Sequence, residues 1–308
     1  MEYEIRSTAD YIDCLKDLSK NGVDDYHDVT TNLYYRGEPD DYGETAGQPG
    51  IARGKWLEGD NESDLFRECE RRLSHEFVNC KSTFEKLVLM QHYGILTRLL
   101  DVSIDPLQAL FFALYHDPKY PCNDKNDSVV LVYEVPKNSI RSWHSDVVSV
   151  ISNIAVYRFD DDALSVKDMP YSDDRCGREK FNEEDPIKHL LHEIRAEKSY
   201  FEPWIKKDNM ESIYCVHPLL DNPRIRFQQG AFLLFGIGGD KHHLATLESN
   251  KGPEIRMTKI RIPQYAKMQI REELKLLGKT IDTIYPDWVG VSDYFNRFYG
   301  KNVDEWYK

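Results

Sequence analysis

MQHYGILTRLLDVSIDPLQALFFALY, residues 90–115, reads as the end of one helix, a strand and a second helix, and it sets His92, Arg98 and Asp101 beside some of the most apolar sequence in the chain. The first helix spans STFEKLVLMQHY, opens with Ser82 and Glu85 at capping-box spacing, and finds in Gly94 a left-handed stop. ILTRLLDVS then predicts a strand buried on both faces, and Asp105 followed by Pro106 predicts the start of a helix over DPLQALFFALYHDP. Charges that enter a core are paired or used, because an unpaired buried charge costs several kcal/mol or titrates away. The run therefore marks a structural ion pair or a site.

Upstream, STADYIDCLKDLSKNG carries a helical stripe at Tyr11, Ile12, Leu15 and Leu18, and NLYYRG predicts a short strand. EPDDYGETAGQPGIARG, rich in Gly, Pro and Asp, predicts a loop of about 17 residues, a length usual for functional or mobile segments. ESDLFRECERRLSHEFVN predicts a helix with Leu65, Phe66, Cys69, Leu73 and Phe77 on one face. Downstream, SVVLVYEVP is the clearest strand, and residues 157–186 are acidic and poor in apolar side chains. A helix from Asp185 to about Tyr200 follows, then strands at SIYCVHP, GAFLLFGIGG and EIRMTKIRIP, and helices at QYAKMQIREELKLLG and WVGVSDYFNRFYG. With no repeat or linker, the expected fold is α+β, a single domain with a small mixed or antiparallel β core decorated by helices. Its expected divisions are an N-terminal helical segment at 1–31, the main domain at 32–290 with an acidic surface insertion at 157–186, and a C-terminal helical tail at 291–308.

The chain has 308 residues, with 40 Lys and Arg against 53 Asp and Glu. A net charge of −13 repels polyanions, which argues against unspecific nucleic-acid or anionic-membrane binding. The six cysteines are scattered, without zinc-type spacing, and read as reduced thiols. The start lacks a signal-peptide pattern, and the longest apolar runs fall short of the roughly 18 residues that span a bilayer, so a cytoplasmic protein is expected. There is no Walker loop, Rossmann glycine pattern or nucleophile elbow. His189 and His192 lack a third ligand and read as a solvated helix face, so no metal is expected.

YYRGE at 34–38, MQHYGILTRLLDVSIDPLQALFFA at 90–113, RIRFQQGAFLLFG at 224–236 and YPDWVG at 285–290 together resemble the FRG-domain family, named for its aromatic-Arg-Gly motif. The order of these motifs resembles that of ADP-ribosyltransferases, with an Arg on a first strand, a strand running into a helix, and a late strand. The resemblance implies a fold of that kind that binds NAD or another nucleotide, and an effector of bacterial anti-phage defence or a toxin, transferring ADP-ribose to a protein or nucleic-acid acceptor or hydrolysing NAD. One departure bears on the chemistry: Gln228 and Gln229 stand where a transferase carries a glutamate, and a glutamine supplies no negative charge. That departure favours the alternative of a non-catalytic module sensing a nucleotide or phage ligand. A nuclease is disfavoured by charge and by the lack of a metal-binding acidic cluster.

On this reading the candidate catalytic residues are Arg36, His92, Asp101 and Gln229. Arg36 has the planar fork for bidentate phosphate or carboxylate contacts, with pairing to a neighbouring acid as the structural alternative. His92 can exchange protons near neutral pH or simply cap its helix. Candidate ligand-binding residues are Arg36, Gly37, Arg53, Tyr93, Thr97, Arg98, Ser103 and Gln228. Gly37 permits close backbone approach or a positive φ. Arg98 and Asp101, three apart on a strand, face opposite ways and need separate partners, whereas Thr97, Leu99, Asp101 and Ser103 share a face. Asp101 can anchor Arg36 or a loop amide.

Overall fold

The computed structural model describes residues 2–20, 31–115, 125–158, 164–219 and 230–284. Its strands are β1 (Glu2–Glu4), β2 (Thr31–Glu38), β3 (Leu99–Ser103), β4 (Ser128–Pro136), β5 (Ile140–Ser142), β6 (Ile213–His217), β7 (Gly230–Phe235) and β8 (Arg256–Ile262). They form one mixed sheet in the order β1-β8-β4-β2-β3-β7-β6-β5. Neighbours are antiparallel except at the two edges, where β1 on β8 and β5 on β6 run parallel. This α+β architecture agrees with expectation, but eight strands make the sheet larger than the small core foreseen. The extra edge strands are three residues long, too short for an alternation to be read.

The helices are α1 (Thr8–Lys20), α2 (Asn61–Arg72), α3 (Thr83–His92), α4 (Pro106–Leu114), α5 (Asp146–Val156), α6 (Arg175–Glu183), α7 (Asp185–Glu197), α8 (Lys207–Met210), α9 (Lys267–Leu276) and α10 (Ile281–Ile284). Those at the centre start and stop as the sequence dictates. Ser82 accepts from the Glu85 amide at the head of α3, Gly94 takes φ +79 behind it, and Asp105 accepts from the amides of Leu107 and Gln108 at the head of α4.

Alternation along β2 sends Tyr35 to one face, where it packs with Val130, Val132, Ile260 and the apolar sides of α1, α4 and α9. Tyr34 points to the other face, into a core with Leu100, Leu131, Tyr133 and Leu233. A third cluster packs α2, α3 and α5 on Leu99, Phe232 and Leu234, and a fourth joins α5, α6 and α7. No helix among the described residues is long and apolar enough to cross a membrane.

Three expectations change. The described part of the segment expected at 1–31 packs onto the sheet, since β1 pairs with β8 and Tyr11 and Leu18 bury in the core around β4. Residues 157–186 are not only surface: Tyr157, Leu164, Val166 and Phe181 are buried, so sparse apolar residues are spent on one small core. The helix expected over 62–79 ends at Arg72, where Leu73 turns to solvent while Phe77 returns to the core through a turn. The last predicted helix and the tail at 291–308 lie outside the described residues.

Candidate functional site

β2 pairs with β4 along its whole length, and β3 likewise with β7, but β2 and β3 meet at the single pair Tyr35 and Ser103. Beyond that pair the two strands part, and the side chain of Arg36 occupies the split. Its Nη1 donates to the Asp101 carbonyl at 3.0 Å, a group no ladder bond to β2 satisfies, and lies 3.9 Å from Asp101 Oδ2. Its Nε donates to Glu38 Oε1 at 3.0 Å. Arg36 and Glu38 are two apart on a strand and therefore share a face, the face of Tyr34. Burial alone would lower the pKa of the guanidinium, but the charges of Glu38 and Asp101 outweigh it and hold Arg36 above its ordinary value. The structural alternative for Arg36 thus holds: it is paired to neighbouring acids, through bonds that use Nε and Nη1 but not Nη2.

Residues 39–54 fold over this pair, with short 3-10 turns at Gly43–Thr45 and Gly50–Ala52 rather than as a structureless loop. The amide of Gly47 donates to Glu38 Oε1 at 3.3 Å, and Arg53 Nη2 stands 3.9 Å from the same oxygen. The Arg53 guanidinium lies over the Tyr42 ring, 4.9 Å from its centroid. Below, Tyr133 of β4 aims its hydroxyl at Gly47, where a β-carbon would come within 2.4 Å of the oxygen; burial pushes the phenol's pKa up. Gly47 is required on two grounds, this contact and its φ of +70.

Gly37 answers a different demand. A β-carbon there would stand 1.9 Å from the Ala109 carbonyl oxygen and 2.4 Å from the Ala113 nitrogen, so glycine lets the backbone of α4 rest directly on β2. Its place in the motif meets a packing demand.

At the other wall of the split, Gln91 on the last turn of α3 donates to Asp101 Oδ2 at 2.7 Å and accepts from Thr97 Oγ1 at 2.8 Å. Thr97 in turn accepts from the Leu99 amide, so this candidate is a buried brace. Asp101 is more than half exposed and is the open carboxylate beside Arg36. His92 lies one residue from Gln91, its ring edge-on to the exposed Tyr93 at 5.3 Å between centroids.

Two sequence candidates do other work. Ser103, buried, accepts from the Asp105 amide and shapes the turn into α4, so it does not join Asp101 on an open face. Arg98 has no exposed surface and forks onto Glu62 of α2, with Nε to Oε1 at 2.9 Å and Nη2 to Oε2 at 2.5 Å, while Nη1 donates to the Phe235 carbonyl. It is a structural ion pair and not a ligand contact. Gln228 and Gln229 lie outside the described residues.

The sequence reading passed over Glu38 and Tyr133. The two-residue spacing from Arg36 was a signal for the first; nothing local signals the second, which arrives through the β2–β4 register. Arg36 and Arg53 are balanced in charge by Glu38 and the open Asp101, so what the cluster offers an anion such as phosphate is the directed fork of Arg36 and not an excess of positive charge. Among the described residues no group of three His, Cys, Asp or Glu could hold a metal ion.

No curated protein and no solved structure matches this chain. The FRG domain family does match, over residues 31–121, which run from β2 through α4 and contain Arg36, Gly37, Glu38, Arg53, Gln91 and Asp101. That stretch, less than a third of the chain, is similar to the FRG domain.

Proposed function

We propose that the FRG domain binds a nucleotide at the split between β2 and β3, with a phosphate on Arg36, and that NAD is the ligand to try first. The observation that carries the reading is Arg36 itself. It is fixed at Nε by Glu38 and at Nη1 by the Asp101 carbonyl, it keeps Nη2 for an acceptor, and its side chain is 24% exposed. A guanidinium held in this way loses little freedom on gripping an anion. Arg53, stacked on Tyr42, stands ready as a second cation.

With NAD bound, the chemistry in view is release of nicotinamide with transfer of ADP-ribose to an acceptor or to water, the activity of a defence effector or toxin. In that setting Asp101 is the exposed carboxylate nearest Arg36, and Gln91 orients it. The reading as a non-catalytic sensor is favoured by Glu38, whose Oε1 is already engaged by Arg36 and the Gly47 amide.

Arg36→Lys tests the site. The charge stays but the fork is lost, and affinity for NAD is expected to fall by about 10- to 100-fold, the worth of one charge-assisted hydrogen bond of roughly 1.5–3 kcal/mol. Calorimetric titration measures the affinity, and mass spectrometry of the same mixtures reads nicotinamide release. Wild-type affinity in the folded variant would remove Arg36 from the site; binding without release supports the sensor.

A further inference from the structure

Three buried side-chain atoms without a hydrogen-bond partner fall in one place beneath residues 39–54: Glu38 Oε2, Arg53 Nε and the Tyr133 hydroxyl. Buried polar atoms are nearly always paired, and each orphan is costly, so three around one motif call for an explanation. Glu38 and Tyr133 are each 1% exposed, so solvent does not supply it. The three groups belong to one neighbourhood. Arg53 Nη2 is 3.9 Å from Glu38 Oε1, the Gly47 amide bonds that same oxygen, and the Tyr133 hydroxyl abuts Gly47.

Their chemistry is mixed. Glu38 Oε2 only accepts, Arg53 Nε only donates, and the phenol does either. A phosphate offers no proton to Glu38, an ammonium gives nothing to Arg53, and a carboxamide answers all three only by reaching them with two separate atoms, its oxygen and its nitrogen. A hydroxyl both donates and accepts, and is the small group that answers all three.

We infer that Glu38, Tyr133 and Arg53 form a second subsite beside Arg36 that takes a hydroxyl of a sugar ring, and that it sets specificity for a ribose-bearing ligand over a bare phosphate. Glu38 Oε2 accepts the sugar's proton, while Arg53 Nε and the Tyr133 hydroxyl donate to its oxygen. Entry requires residues 39–54 to lift, and the way in lies past Arg36 and Arg53, which are 24% and 38% exposed in their side chains. The inference rests on the nucleotide reading of Arg36 and names the part of the ligand that reading leaves open.

The test is calorimetric titration of the full chain with ADP-ribose and, separately, with inorganic pyrophosphate, for wild type and Tyr133→Phe. The variant removes one oxygen and keeps the ring. ADP-ribose affinity is expected to fall about 10-fold, with pyrophosphate affinity unchanged, since only the sugar reaches Tyr133. Thermal unfolding of the unliganded variant should match or exceed wild type, because an orphaned buried hydroxyl is removed. Should Tyr133→Phe leave ADP-ribose affinity intact, or lower the stability of the free protein without touching affinity, the hydroxyl serves the fold or holds only a water; the subsite falls while the Arg36 reading stands. Should wild type bind neither probe, both fall together.

Discussion

Glu62→Ala is expected to cost about 3–5 kcal/mol of unfolding free energy, the range for removing one partner of a buried ion pair. The reason is what remains behind. Arg98, wholly buried, would keep only the Phe235 carbonyl. Lys241 is buried nearby and donates to the Tyr157 carbonyl; burial pulls its pKa down to about 8 against the support of Glu62's charge. Without Glu62, Arg98 is a buried cation with no carboxylate partner, and Lys241 adds its like charge while keeping the support of Asp60 and Asp64. Urea denaturation followed by circular dichroism measures the loss. The double variant Glu62→Leu with Arg98→Met should recover much of it, since replacing both members of a buried pair by apolar groups is often neutral. A loss below about 1 kcal/mol for Glu62→Ala would show that the pair is hydrated and not structural.

Gly37→Ala is expected to cost about 3 kcal/mol, at the upper end for overpacking, because the atoms in the way are backbone atoms of α4 and cannot rotate aside. Either α4 lifts from β2 or the strand bends away. Both disturb Arg36 next door, so weakened ligand binding should accompany the loss of stability. Chemical denaturation reads the first effect and titration the second. A variant as stable as wild type would mean that α4 does not rest on the glycine.

These two positions also show what the sequence could reveal. Local rules are written locally: the Ser82, Gly94 and Asp105 signals fall on the ends of α3 and α4, and the valines of residues 128–136 mark a central strand. Arg98 and Asp101 were legible as facing apart, and they do find separate partners, Glu62 and Gln91. Those partners were not legible. Glu62 is 36 residues upstream on a different helix, and no periodicity couples them. The same limit applies to the site. Arg36 and Asp101 stand out by chemistry, but Tyr133 sits in a run of valines where a tyrosine reads as ordinary core. Ser103 misled because alternation assigns faces without saying which part of a face stays open, and here the turn into α4 closes it.

The parallel pairing of β1 with β8 has a kinetic consequence. Glu4 and Arg261, bonded across that ladder, are 257 residues apart in sequence. Loop closure over such a distance carries an entropic cost that grows with its logarithm, and contacts of this separation form late. During synthesis β1 must wait for β8 before it has this edge to join. β1 is therefore expected to be the final strand to dock, and hydrogen-exchange labelling during refolding should find its amides protected after those of β4 and β7; protection at the same time would show a partner earlier in the chain. β1 acts as a clasp, fastened only when the rest of the sheet is in place.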